Sequence, residues 1–201
     1  MYITKIEQYN SRFKIYIDGN FAFLLYKGDI RKFHIEEDAT IDESTYTDIE
    51  EVLFYRGKER ALYMLDNSFK TEKYIRDKLK SGFYPANVID SIIAKLKEMN
   101  LVNDLNYAKL YIEYKAAAKS KKKLIQDLYV KGVSKENIDL AFEEVEFDEY
   151  ESLDKIILKK KDKYNLEDKK DLNRFYQYLA SKGYSFNDIK SRLALLDITL
   201  S

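Results

Sequence analysis

A pattern of helix ends recurs three times in this chain of 201 residues. The three copies are KLKSGFYPANVIDSIIAKL (78–96), LYVKGVSKENIDLAFEEV (128–145) and LASKGYSFNDIKSRLALL (179–196). In each copy, the end of one helix is followed by a glycine, an apolar residue, a cap-like residue and an amphipathic helix. The glycines lie 50 and 51 residues apart, at Gly82, Gly132 and Gly183. A helical repeat of this length predicts an array of similar units, each packed on its neighbour.

The residues at these junctions have the chemistry of helix ends. A glycine just past a helix adopts the left-handed conformation readily, so a positive φ is predicted for all three glycines. Ser134 and Ser185 stand where the next helix needs an N-cap, because a hydroxyl oxygen can accept a hydrogen bond from a free backbone N–H. Pro85 suits the first turn of the helix in the first copy.

Apolar residues recur at three- and four-residue steps, which predicts three helices in each unit. The expected helices are 44–66, 71–80 and 85–99 in the first unit, 105–117, 120–131 and 135–145 in the second, and 149–163, 168–182 and 186–196 in the third. The first helix is expected to end near Asn67-Ser68.

The N-terminal residues follow a different pattern. Phe13, Ile15 and Ile17 alternate with less apolar residues, which is typical of a half-buried strand. A turn at 18–20 leads to a returning strand at 21–26, and residues 2–9 can pair beside them. Three strands cannot form a thick core, so we expect the sheet to pack on the helices that follow.

The predicted fold class is therefore mainly α. It consists of three tandem three-helix repeats in an elongated, curved array, preceded by a small three-stranded segment. The expected boundaries are 1–42 for the β segment and 43–103, 104–147 and 148–201 for the three repeats. The chain has one proline and six glycines, and so few helix breakers favour helices over a many-stranded fold.

The composition argues against an enzyme. Because cysteine is absent and His34 is the only histidine, disulfides and thiolate metal sites are excluded and catalytic triads are barely possible. No HExxH, GxGxxG or P-loop pattern is present. We therefore predict no catalytic residue, no metal site and no cofactor. The N-terminus lacks a signal peptide and no apolar run approaches the roughly 18 residues of a membrane span, so we expect a cytoplasmic protein without membrane contact.

The distribution of charge indicates a binding protein. The chain balances 35 basic with 35 acidic residues, so bulk charge alone is not expected to hold nucleic acid tightly. Basic residues nevertheless cluster where the second helix of each unit begins. A positive run there opposes the helix dipole, which indicates either a negatively charged partner or an ordinary solvated surface. The candidate contacts form an interrupted basic stripe made of Lys70, Lys73, Arg76, Lys119, Lys121, Lys122, Lys123, Lys169, Lys170 and Arg174.

The 18 tyrosines suggest stacking on unpaired bases as an alternative. Many of them lie at the spacing of core residues, such as Tyr74, Tyr107, Tyr111 and Tyr176. Tyr84 and Tyr184 occupy equivalent places in two repeats, and matching places usually have matching packing. We therefore interpret most of the tyrosines as packing residues.

Several residues together resemble a known family. Residues 68–115 are similar to the hallmark region of the RecX family, the regulators of RecA recombinase. The matching residues are Lys78, Leu79, Gly82, Leu96, Leu101, Asp104, Tyr107 and Ala108. Residues 124–142 and 173–193 continue the resemblance, and the N-terminal strands resemble the extension of Gram-positive members. Members commonly have a glycine with arginines before the second helix of the middle unit, where this chain has residues 119–123 (KSKKK).

The resemblance implies a regulator of RecA, and inhibition is the expected effect. Such a protein binds the RecA–single-stranded-DNA filament along its groove and modulates homologous recombination and the DNA-damage response. The implied partner is the RecA filament, with single-stranded DNA bound only weakly by the chain alone, and a monomer is expected. Two alternatives stay open: a stand-alone helical protein that binds single-stranded or duplex DNA, and a scaffold without a nucleic-acid role.

Overall fold

The computed structural model describes residues 1–66 and 68–196. The chain divides into two compact units, Met1–Asn103 and Asp104–Ser201. The described residues contain ten α-helices and one three-stranded sheet, which confirms the mainly α class.

The predicted sheet is present at the N-terminus. Its strands β1 (Ile3–Tyr9), β2 (Arg12–Ile17) and β3 (Asn20–Tyr26) are antiparallel and lie in the order β1-β2-β3. Ile15 pairs with Ile6 on one side and with Phe23 on the other. The turn between β2 and β3 uses positive φ angles at Asp18 and Gly19, as the sequence of the turn predicts.

A short helix, α1 (Lys27–Lys32), follows the sheet and was not predicted from the sequence. Asp29 fixes it: its carboxylate accepts a hydrogen bond from the Tyr26 backbone N–H at 2.9 Å and two from Arg56, at 2.6 and 2.7 Å. Burial alone would raise the pKa of Asp29, but these hydrogen bonds outweigh burial and hold that pKa below its ordinary value. A helix of six residues is too short to show an apolar period, so only the tertiary contact reveals it.

Three longer helices complete the first unit: α2 (Glu43–Asp66), α3 (Glu72–Ser81) and α4 (Ala86–Glu98). Their predicted positions are confirmed, although Asn67, near the expected end of α2, lies outside the described residues. The sheet and the helices share one core, in which Ile15, Phe23, Ile49, Ile75 and Ile92 are fully buried. The sheet therefore packs on the helices, as expected from its small size.

The second unit holds the other six predicted helices. They are α5 (Asp104–Lys115), α6 (Lys121–Val130), α7 (Lys135–Glu144), α8 (Glu149–Lys160), α9 (Lys169–Ser181) and α10 (Phe186–Leu195). A short 3-10 turn extends α5 at Ala116–Ala118, and another extends α8 at Lys161–Lys163. Helices α5 to α7 surround one apolar core and helices α8 to α10 surround a second.

The left-handed residue at each junction was predicted correctly in two copies and wrongly in the first. Gly132 and Gly183 have φ values of 86° and 98°, but Gly82 has a φ of −82°. In the first copy Phe83 takes the left-handed conformation, with a φ of 66°. Helix α3 extends one residue further towards the junction, so that Gly82 is its C-cap and Phe83 is the structural counterpart of the two later glycines.

Contacts of the Phe83 ring explain why a bulky residue occupies this position. The ring lies 5.4 Å from that of Tyr9 and 5.9 Å from that of Phe21, in edge-on geometry. A left-handed non-glycine residue is strained by about 1–3 kcal/mol, and contacts of this kind offset the strain. Gly82 lies in a tightly packed place, because a Cβ there would lie 3.1 Å from both the Leu79 carbonyl oxygen and the Tyr84 ring.

The caps after the junctions agree with the prediction. Ser134 Oγ accepts from the Asn137 N–H at 3.2 Å, and Ser185 Oγ accepts from the Asp188 N–H at 3.1 Å. Pro85 differs slightly from the prediction, because it is the N-cap of α4 and precedes the first turn by one residue.

Within the second unit, the third repeat packs directly on the second. The Ser120 N–H donates to the Lys182 carbonyl oxygen at 3.0 Å. The buried Tyr184 hydroxyl lies 2.7 Å from Ser152 Oγ, which also donates to the Ala116 carbonyl oxygen. Tyr184 is therefore a packing residue, as its place in the repeat predicted.

Candidate functional site

The ten predicted contact residues all lie at or near the start of the second helix of a three-helix domain. These helices are α3, α6 and α9, and their N-caps are Thr71, Ser120 and Asp168. Each cap side chain accepts a hydrogen bond from a backbone N–H of the first turn, at 2.9–3.2 Å. The three helix starts therefore share the same cap chemistry, and basic side chains lie close to each of them.

One position is basic in all three helices. The second helical residue is Lys73 in α3, Lys122 in α6 and Lys170 in α9, and all three are exposed. We call these the repeat lysines. The first turn of a helix carries partial positive charge, so a carboxylate would be more stable there than an ammonium group. The helix dipole therefore does not explain why a lysine recurs at this position in three helices.

The remaining residues of the first group are engaged within the first unit. Arg76 donates to Glu72 and to Asp90, at 2.6 Å in both cases, and these partners raise the pKa of its guanidinium. Lys70 lies 5.2 Å from the centre of the Tyr74 ring. Arg76 therefore makes its hydrogen bonds within its own helix and to α4.

In the middle group, Lys119 is the residue most strongly held by its own domain. Its ammonium group donates to the Asp127 carboxylate and to the Tyr111 hydroxyl, and the Asp127 hydrogen bond is the main reason that the pKa of Lys119 is raised. Lys123 lies 3.7 Å from the same carboxylate, and Lys121 lies 4.9 Å from the centre of the Phe142 ring. Lys122 makes no ion pair or ring contact with the described residues.

The third group surrounds an open groove of about 550 Å³ on α9. The groove is lined by Asp168, Lys169, Lys170, Asn173, Arg174 and Gln177. Arg174 donates to Asp171 at 2.9 Å, but both groups lie near the surface, so that pair is weak and easily exchanged for another partner.

Comparison with known proteins shows to which family the chain belongs. The model of the third three-helix domain of RecX matches residues 148–192, and that of the second matches residues 103–141. Regulatory protein RecX of Finegoldia magna is 35% identical over 94% of this chain and 97% of its own length. Regulatory protein RecX of Clostridium beijerinckii is 34% identical over 91% of this chain and 90% of its own length.

The chain belongs to the RecX family.

Solved RecX structures have the same fold. A crystal structure of regulatory protein RecX covers 94% of this chain with a TM-score of 0.60 and 26% identity. RecX from Lactobacillus salivarius covers 74% of it with a TM-score of 0.61 and the same identity. As a RecX protein, the chain is a regulator and not an enzyme, as the composition predicted. The described residues contain no cluster of acidic or histidine side chains suited to a metal ion, and none of their helices is long and apolar enough to cross a membrane.

The RecX fold also brings together basic residues that the sequence analysis missed. Arg12, Arg56 and Arg60 line a cleft of about 490 Å³ in the first unit, which we call the arginine cleft. Arg56 and Arg60 are four residues apart on α2, a spacing that places them on one helix face and could have been noticed. Arg12 is far away in sequence on β2, and only the packing of the sheet against α2 brings it close.

Proposed function

We propose that this RecX protein regulates RecA recombinase by binding the RecA–single-stranded-DNA filament in the cytoplasm, and that its effect is inhibitory. The observation that carries the proposal is the exposed lysine at the second residue of α3, α6 and α9. A filament repeats the same acidic groups at regular intervals, and a protein with repeated domains can meet several of them at once. We propose that the protein acts as a monomer along the filament groove.

The balance of charge favours the filament over bare DNA as the partner. With 35 basic and 35 acidic residues, the chain lacks the net positive charge that holds proteins on DNA phosphates without further contacts. Each exposed lysine contact contributes only about 0.2–1 kcal/mol. Several such contacts, added to protein–protein contacts, suffice for affinity, because each factor of ten requires about 1.4 kcal/mol.

Binding to bare and RecA-coated DNA tests this proposal. At physiological salt, the protein should bind RecA-coated single-stranded DNA at least about tenfold more tightly than the same DNA alone. The salt dependence should be shallow if RecA supplies most contacts and steep if phosphates do. Equal affinity for both substrates would instead favour a stand-alone DNA-binding protein, and no binding to either would favour a scaffold.

A further inference from the structure

The arginine cleft has an excess of positive charge. Arg56 is bound by the Asp29 carboxylate, but Arg12 and Arg60 form no ion pair with any described residue. Glu59 also lines the cleft and is not paired with either of them. Arginines gathered in a concave surface raise the local concentration of anions, and uncompensated like charges are unfavourable unless an anion binds between them.

The three arginines and Tyr84 line the same cleft, so their positive charge lies on one concave surface. Burial has the largest effect on Tyr84 and raises the pKa of its hydroxyl. Arg60, Arg12 and Arg56 act in the opposite direction, and Tyr26 adds to the increase.

Aromatic rings form the other walls. Tyr26 is 46% exposed, and its ring lies 5.1 Å from the Arg56 guanidinium. Phe83 and Tyr84, in the turn between α3 and α4, also line the cleft. Phe83 holds the left-handed backbone described above, and strained residues of this kind concentrate at functional sites.

We infer that the arginine cleft binds a phosphate ester carrying an unpaired base, as found in single-stranded DNA. The planar guanidinium groups of Arg12 and Arg60 match the oxygens of a phosphate in two-pronged hydrogen bonds. The exposed ring of Tyr26 offers a face on which an unpaired base of any sequence can stack. The site adds a DNA contact in the first unit and does not depend on the proposed role in RecA regulation, because it can be tested with the isolated protein.

The test compares two charge-matched double variants of the full chain. Arg12→Ala/Arg60→Ala removes the two unpaired arginines of the cleft, and Arg31→Ala/Lys32→Ala removes two exposed charges from α1. The probe is a fluorescein-labelled oligothymidylate, whose binding is followed by fluorescence anisotropy. The cleft variant should bind at least about fivefold more weakly, and the control should stay within about twofold of the wild type.

Salt dependence provides a second measure. On single strands, each lost phosphate contact reduces the magnitude of the slope of log affinity against log salt by about 0.7. The slope of the cleft variant, which lacks two contacts, should therefore be smaller in magnitude by about 1.4. Arg12→Lys/Arg60→Lys keeps both charges without the two-pronged geometry, and its affinity should fall between those of the wild type and the alanine variant. This lysine pair decides the result if the alanine variant melts at a lower temperature.

The source of the phosphate ester is resolved by competition. Displacement of the oligonucleotide by thymidine triphosphate would support the site with a free nucleotide as its ligand, and the absence of displacement would support the site with a strand as its ligand. Equal weakening in the cleft and control variants, or unchanged binding in the cleft variants, would overturn the inference.

Discussion

At the scale of single residues, two glycines distinguish the effect of backbone conformation from that of close packing. Both have positive φ, but a Cβ at Gly19 would meet nothing, whereas one at Gly183 would lie 2.8 Å from the Lys123 Cβ and closer still to Ser120 Oγ. Gly19→Ala should therefore lower the free energy of unfolding by about 1 kcal/mol, and Gly183→Ala by more than about 2 kcal/mol. Urea unfolding measures both. Equal losses would contradict the close packing of the last junction on α6.

Tyr184 predicts how stability depends on alkaline pH. Burial raises the pKa of this tyrosine from 10.0 to about 12, against the opposing effect of the Ser152 hydrogen bond. Because the folded state favours the neutral phenol, this contribution is complete below about pH 10 and is lost as the pH rises through 12. The loss should be on the order of 2 kcal/mol.

Comparison of two phenylalanine variants isolates that effect. Between pH 10 and 12, Tyr184→Phe should lose stability less steeply than the wild type, while Tyr114→Phe, at a 79% exposed tyrosine, should follow the wild type. Thermal melting at a series of pH values provides the measurement. If the melting temperatures of all three proteins depended on pH in the same way, ionisation of Tyr184 would not destabilise the folded state.

At the scale of elements, apolar spacing was sufficient for nine helices and three strands. Each is long enough to show its period, and glycine, serine or aspartate marks many of the ends. Features set by tertiary contact were not predictable in this way. Helix α1 depends on the Asp29–Arg56 pair, and the left-handed Phe83 depends on rings from the sheet. The arginine cleft depends on the packing of the sheet against α2.

The sequence located the candidate contact residues on the helices, but it did not show which of them have partners within the protein. Clustering of lysines identified the starts of α3, α6 and α9, but it gave Lys119 and Arg76 the same weight as Lys122. Only the structure shows that Asp127 holds Lys119 and that Glu72 and Asp90 hold Arg76. The Arg76–Glu72 spacing of four residues could have been noticed in the sequence, whereas the Arg76–Asp90 and Lys119–Asp127 pairs depend on tertiary contacts.

The dipole of helix α6 leads to a prediction about the stability of the fold. Lys122→Glu replaces an unfavourable charge in the first turn by a favourable one, which should raise the free energy of unfolding by about 0.3–1 kcal/mol. Lys190→Glu, an exposed change in the middle of α10, should have little effect. Thermal melting at low salt compares the two variants. A lower melting temperature for Lys122→Glu would mean that Lys122 stabilises the fold, so that no binding partner is needed to explain its presence.

At the scale of the whole molecule, the tandem repeat predicts an elongated protein. A compact chain of 201 residues would have a radius of gyration of about 16–17 Å. We propose that small-angle scattering will give a clearly larger value, because an array of repeats reaches along a filament better than a sphere does. A compact value would contradict the extended arrangement while leaving the three-helix domains intact.

The central claim is that the repeat lysines contact the RecA filament. It is tested most directly by RecA-dependent ATP hydrolysis on single-stranded DNA, in the presence of the wild type, Lys73→Glu/Lys122→Glu/Lys170→Glu, or a control with Lys80→Glu/Lys135→Glu/Lys190→Glu. The control changes the same number of charges at exposed sites, one in each domain. We predict that the wild type and the control inhibit alike, and that the repeat-lysine variant needs at least about tenfold more protein while melting no earlier. Equal inhibition by all three proteins would contradict the claim.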